Sequence, residues 1–229
     1  MTIKKLKPIR AILWDLDGVL IDSELGYFYS VGDMVRSLGY PYGEKEFAKV
    51  TGSSYKNIAE TLALPEPPEK IRSLYLDALM NSVKENVTSL IKGATDFLDR
   101  FQAMGLKMAI GSSSPWKLVD FVVQKFKLER WMDVIVTGND APNGKPSPEI
   151  YLKCAANLGV EPTECIVIED SVNGILSGKN ANMYVCAYTS TNYHDLDLSI
   201  ADIAISEYSD DSFRLLEDFM CTAKTKFMF

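Results

Sequence analysis

The chain has 229 residues, 47% of them hydrophobic and 24% charged, with a formal net charge of −7. That length is enough for one large domain, or for a core domain with a smaller partner, and it buries a sizeable core. The acidic balance excludes a general nucleic-acid or membrane-surface binder, which needs a basic face. A small anionic substrate stays possible, because a metal ion and one or two cations reverse the field locally.

The chain opens with lysines and then apolar residues, which resembles the start of a signal peptide, but Asp15 and Asp17 cut the apolar run short. No apolar stretch approaches the ~18 residues that span a bilayer. The first strand-like run is 9-IRAILW, which ends in 15-DLDG. Residues 23 to 88 then read as helical: 27-YFYSVGDMVRSLG, 44-EKEFAKVTG, 55-YKNIAETLAL and 69-EKIRSLYLDALMNSVKENV, punctuated by 65-PEPPE. From residue 89 onward, apolar runs alternate with helical segments. The runs are 107-KMAIGS, 133-DVIVTG, 164-ECIVIED, 183-MYVCAY and 201-ADIAIS, and continuous runs of this kind fit strands buried on both faces. Pro115 and Pro148 open two of the intervening helices, and Gly105 and Gly159 close two.

This pattern predicts an α/β protein with a Rossmann-like parallel sheet core and an inserted helical cap domain. The expected core is 1–22 with 89–229, and the expected cap is 23–88. Cys154, Cys165, Cys186 and Cys221 form no CxxC pair, and His194 is the one histidine, so the composition gives no Cys/His zinc framework. Reduced thiols of this kind suit a cytoplasmic protein. His194, in 191-TNYHDLDL, reads as a surface loop residue.

Ligands of open α/β sheets bind outside the carboxyl ends of the strands. The first strand runs into Asp15 and Asp17, the second ends at Ser112, and the fourth ends at Glu169 and Asp170. After the third, 141-APNGKPSPEIY presents Lys145. Each piece has a plain structural reading. The DxD can be a turn or a helix cap, and 112-SSSP an N-cap cluster for the helix at Pro115. Lys145 can be solvated surface, and Glu169-Asp170 can complement a helix dipole. Together they make a set complete for phosphoryl transfer. Clustered carboxylates without Cys or His favour a hard cation, Mg²⁺, which relieves the repulsion between Asp15 and Asp17. Ser112 and the amides of the next helix can donate to phosphate oxygens, and Lys145 can supply charge to the transition state.

Asp15-Leu16-Asp17-Gly18-Val19, Ser112, Lys145-Pro146 and Glu169-Asp170-Ser171 resemble, in order and spacing, the haloacid dehalogenase-like phosphohydrolases. The helical insert after the first strand resembles the cap of the subfamily that holds β-phosphoglucomutase and sugar-phosphate phosphatases. The resemblance spans residues 9 to about 215, and 145-KPSPEIYLKCAANLGV and 168-IEDSVNG make it specific. It implies Asp15 as nucleophile and Asp17 as acid and then base. It implies Mg²⁺ held by Asp15, the Asp17 carbonyl and Asp170, with Glu169 supporting directly or through water. Ser112, Ser113 and Lys145 would bind the transferring phosphoryl group. The cap loop 50-VTGSSYKN would meet the leaving group through Gly52, Ser53 and Ser54, with Thr51 and Lys56 nearby. Its plain reading is a turn that caps the helix at Tyr55.

The run 112-SSSPW resembles phosphatases of hexose phosphates such as 2-deoxyglucose 6-phosphate. The expected partner is a small phosphorylated metabolite, with no nucleic acid or membrane, and the expected state of the protein is a monomer. Asp17 argues against the true dehalogenases, which use a single aspartate. The alternatives are a β-phosphoglucomutase-type phosphotransferase and a phosphate-binding module without turnover. Against the mutase, Tyr27 and Tyr55 stand where that pattern has a histidine and an arginine. Against the binding module, both Asp15 and Asp17 are present.

Overall fold

The computed structural model describes residues 8–46, 55–190 and 197–223. The chain divides into two compact units, one of them Asp22–Ser89 and the other made of the segments on either side of it. The inserted unit is helical, with α1 (Glu24–Ser37), α2 (Tyr55–Thr61) and α3 (Pro68–Asn86). Pro68 occupies the first turn of α3, where its missing N–H costs nothing. Val31, Met34, Val35, Ile58, Leu64 and Ile71 close into a core belonging to this unit alone.

The larger unit holds β1 (Ala11–Trp14), β2 (Lys107–Ser112), β3 (Val134–Thr137), β4 (Cys165–Glu169), β5 (Tyr184–Tyr188) and β6 (Ile203–Ile205). These six strands, all at the apolar runs read from the sequence, pair in parallel in the order β3-β2-β1-β4-β5-β6. The connecting helices are α4 (Ala94–Ala103), α5 (Trp116–Phe126), α6 (Glu149–Leu158) and α7 (Val172–Asn180), and α8 (Asp210–Ala223) follows β6. This is the Rossmann-like arrangement. Side chains of β1 alternate between its faces. Ala11 and Leu13 enter a core with Ala109, Tyr151, Val167 and Ile175. Trp14 enters an aromatic cluster, 6.0 Å from the Phe101 ring and 6.1 Å from the Tyr208 ring.

The chain runs outward in opposite directions from β1 and β4, so the switch point of the sheet lies between them, and the ligand crevice forms at the carboxyl ends of these strands. The segment after β1 folds back on itself. The Gly18 amide donates to the Ile21 carbonyl at 2.8 Å, and the Leu20 amide to the Leu16 carbonyl at 3.0 Å. The Tyr208 hydroxyl donates to the Val19 carbonyl at 2.8 Å and ties this loop to the aromatic cluster. The Ile91 amide donates to the Leu20 carbonyl at 2.9 Å, so the chain re-enters the larger unit beside the point where it left.

Candidate active site

Asp15 follows the last residue of β1, and its amide donates to the Ile168 carbonyl of β4 at 3.0 Å. That bond sets its side chain at the switch point, beside the Glu169 that ends β4. Lys145 reaches the same place from the loop after β3. Its Nζ lies 2.6 Å from Asp15 Oδ1 and 2.5 Å from Glu169 Oε1, with the three side chains 7%, 9% and 1% exposed. The ammonium also stands 4.9 Å from the centroid of the Tyr151 ring.

Glu169 is held from two sides. Oε1 accepts from Lys145 and from the Tyr151 hydroxyl at 2.8 Å. Oε2 accepts from the Asp170 and Ser171 amides, each at 3.1 Å, and from Ser171 Oγ at 3.0 Å. A carboxylate has about four lone-pair sites, so these donors saturate it. Ser171 also caps α7, accepting from the Gly174 amide at 3.0 Å. Gly174 is required by this packing, because a Cβ there would lie 1.8 Å from Glu169 Oε1. Gly18 is required twice over. Its φ is +76°, and a Cβ would lie 1.8 Å from Asp170 Oδ2.

Asp15, Glu169 and Asp170 each bring a carboxylate oxygen within 4.8 Å of the others. An all-oxygen, anionic donor set of this kind fits a hard divalent cation. The Glu169 oxygens already accept from five donors, so Glu169 stands behind Asp15 and Asp170 in such a set. The charge balance points the same way. Burial, partly offset by Lys145 and reinforced by Glu169 and Asp17, pushes the Asp15 carboxyl up to about 8. Burial works against the Lys145 charge, but Asp15 and Glu169 outweigh it and hold the ammonium protonated. One buried ammonium is thus shared between two carboxyl groups.

Asp17 points elsewhere. Its Oδ2 accepts from Ser114 Oγ at 2.7 Å and lies 3.4 Å from Ser112 Oγ, while the Ser114 amide donates to Ser112 Oγ at 3.0 Å. The serine run is thus not the side-chain cap of α5. Pro115 is the N-cap, with no side-chain cap bond, and Asn139 Oδ1 takes the Trp116 amide at 2.8 Å. The Ser112 and Ser114 hydroxyls face Asp17 instead. Ser113 is exposed, and its carbonyl packs over Gly138, where a Cβ would lie 2.3 Å from it. Gly52, Ser53 and Ser54, with Thr51 and His194, lie outside the described residues. Sequence reasoning passed over Ser114 and Tyr151. Ser114 was hidden inside the capping reading, and nothing in 149-EIYLK signals that Tyr151 reaches Glu169.

A Rossmann-like sheet with two aspartates after its first strand, a buried lysine, and Glu169 and Asp170 at the end of the fourth is the frame of an α/β hydrolase site. The chain belongs to the haloacid dehalogenase-like hydrolase family, whose model matches residues 12–188. It is 28% identical over 212 residues to hexitol phosphatase B of Escherichia coli (strain K12), covering 89% of this chain and 95% of that one. It is 29% identical over 182 residues to the phosphorylated carbohydrates phosphatase of Thermotoga maritima, covering 76% of this chain and 82% of that one. Among solved structures, it is similar to a family IA, variant 3 hydrolase from Entamoeba histolytica, with TM-score 0.79 and 26% identity, covering 95% of this chain and all of that one. Relatives named as phosphatases fit a phosphomonoester hydrolase. Among the described residues, no helix is long and apolar enough to cross a membrane.

Proposed function

We propose that this protein hydrolyses a small phosphomonoester, a sugar phosphate of the hexose phosphate kind, through an aspartyl-phosphate on Asp15. The observation that carries this reading is the separation of two carboxylates two residues apart. Asp15 is buried and pinned by Lys145, whereas Asp17 is half-buried and held by hydroxyls. Two neighbouring acids in different environments can take different roles. The phosphatase names of the hexitol and carbohydrate relatives support the substrate class.

Lys145 holds Asp15 Oδ1, which leaves Oδ2 as the attacking atom. Attack on phosphorus breaks the bond to the leaving oxygen, and Asp17 gives that oxygen its proton. Water then attacks the phosphorus of the aspartyl-phosphate, Asp17 takes a proton from it, and the acyl-phosphate P–O bond breaks to free phosphate and Asp15. Ser112, Ser113 and Lys145 hold the phosphoryl oxygens through the cycle. Mg²⁺, held by Asp15, Asp170 and the Asp17 carbonyl with Glu169 behind them, would supply the positive charge that the buried carboxylates and the substrate lack. Gly52, Ser53 and Ser54 are assigned to the leaving group.

The test is phosphate release from hexose phosphates, 2-deoxyglucose 6-phosphate among them, with and without Mg²⁺, by wild type and Asp15→Asn. The expected result is Mg²⁺-dependent turnover that the substitution abolishes. A variant that retains more than about a tenth of wild-type kcat overturns the nucleophile assignment.

A further inference from the structure

β2 ends in the first of three consecutive serines, and the one nearest to Asp17 is the last of them. Ser114 Oγ donates to Asp17 Oδ2 at 2.7 Å, the short range of a charge-assisted bond, whereas Ser112 Oγ lies at 3.4 Å, beyond the good range. Ser112 is further occupied in accepting the Ser114 amide. We propose that Ser114 is a positioning residue for the reaction given above: its hydroxyl holds the Asp17 carboxyl group in the orientation from which the proton reaches the leaving oxygen. The inference rests on the assignment of Asp17 as acid and base.

The chemistry of the partners favours this division of labour. Glu169 is surrounded by an ammonium, two amides and two hydroxyls, and the ammonium and amides can only donate. Those donors call on Glu169 as an acceptor at both oxygens. A serine hydroxyl donates through its one proton and accepts through two lone pairs. Ser114 can therefore keep its bond to Asp17 before and after the proton has moved. Ser112, more loosely attached, is free to turn to a phosphoryl oxygen without releasing the acid. The contact joins residues 97 positions apart, so it is built by the fold and not by a local turn.

A leaving group of low basicity departs without an acid, and an alkoxide does not. A displaced acid therefore penalises alkyl phosphates more than aryl phosphates. The test measures kcat of wild type, Ser114→Ala and Ser114→Thr on 2-deoxyglucose 6-phosphate and on p-nitrophenyl phosphate. For Ser114→Ala, the ratio of the alkyl to the aryl rate should fall by about 10- to 100-fold, within the range that general acid catalysis supplies. Ser114→Thr keeps the hydroxyl and should restore the ratio to within about threefold. In an Asp17→Ala background, Ser114→Ala should lower the alkyl rate no further. Equal loss on both esters, as from a merely structural defect, or no loss on either, overturns the proposal. A wild type that releases phosphate from neither ester overturns the underlying phosphatase reading and this role with it.

Discussion

Lys145→Met removes the one cation from a buried pair of carboxylates while keeping an unbranched apolar chain against the Tyr151 ring. The side chains of Lys145, Asp15 and Glu169 are 7%, 9% and 1% exposed, so water cannot take over the lost partner. Breaking a buried ion pair from one side typically costs about 3–5 kcal/mol, against a total stability of about 5–15 kcal/mol for a domain. Part of that loss is avoided by protonation. In the metal-free protein Asp15 is already pushed up to about 8, from an ordinary 3.8. The native state then keeps a proton that the unfolded chain releases between those values, and stability falls as pH rises through that window. Without Lys145 the carboxyl moves higher still, so the deficit of the variant grows between about pH 6 and pH 9. Urea midpoints of the metal-free proteins at both ends of that window measure it. Adding Glu169→Gln should recover at least about 1 kcal/mol, because the amide keeps an acceptor for the Asp170 and Ser171 amides and removes the orphaned charge. A Lys145→Met variant within about 1 kcal/mol of wild type across this range would refute the reasoning.

Two further outcomes follow from the packing. Gly174→Ala should destabilise by about 1–3 kcal/mol and lower phosphatase activity, measured by urea denaturation and phosphate release. The gain in helix propensity is about 1 kcal/mol, but the new Cβ meets a Glu169 carboxylate pinned by several donors, and a stabilised, fully active variant would contradict this. Ellman's reagent should find one fast thiol, the exposed Cys221, in the native protein and four in denaturant. Cys154, Cys165 and Cys186 are buried, and burial pushes the first two up to about 12, so several fast thiols in the native state would count against the core described above.

The strands were legible because all six lie in short apolar runs bounded by turn or acidic residues. Their order was not, since the same runs could be laid side by side in many ways and only the pairings of β1 with β2 and β4 choose among them. Asp15, Ser112, Lys145 and Glu169 were readable as a group because each lies at or just after a strand end, and a parallel sheet collects such ends at one edge. Ser114 and Tyr151 were not, because their contacts with Asp17 and Glu169 depend on where distant elements meet. The serine run shows how a local rule loses to a tertiary one. A hydroxyl before a helix is a good cap in isolation, yet the carboxylate of Asp17 is the stronger acceptor, and Asn139 takes the amide that the serines leave.

The backbone bond between Ile91 and Leu20 brings the two ends of the inserted unit's path together. To the larger unit, everything between them is a closed loop, and its length enters the free energy of closure only logarithmically. The strands whose ends carry the carboxylates pair with one another, and none of that pairing runs through the insert. The join therefore acts as a socket. A longer or shorter piece can be fitted there without a change in the pairing of the strands.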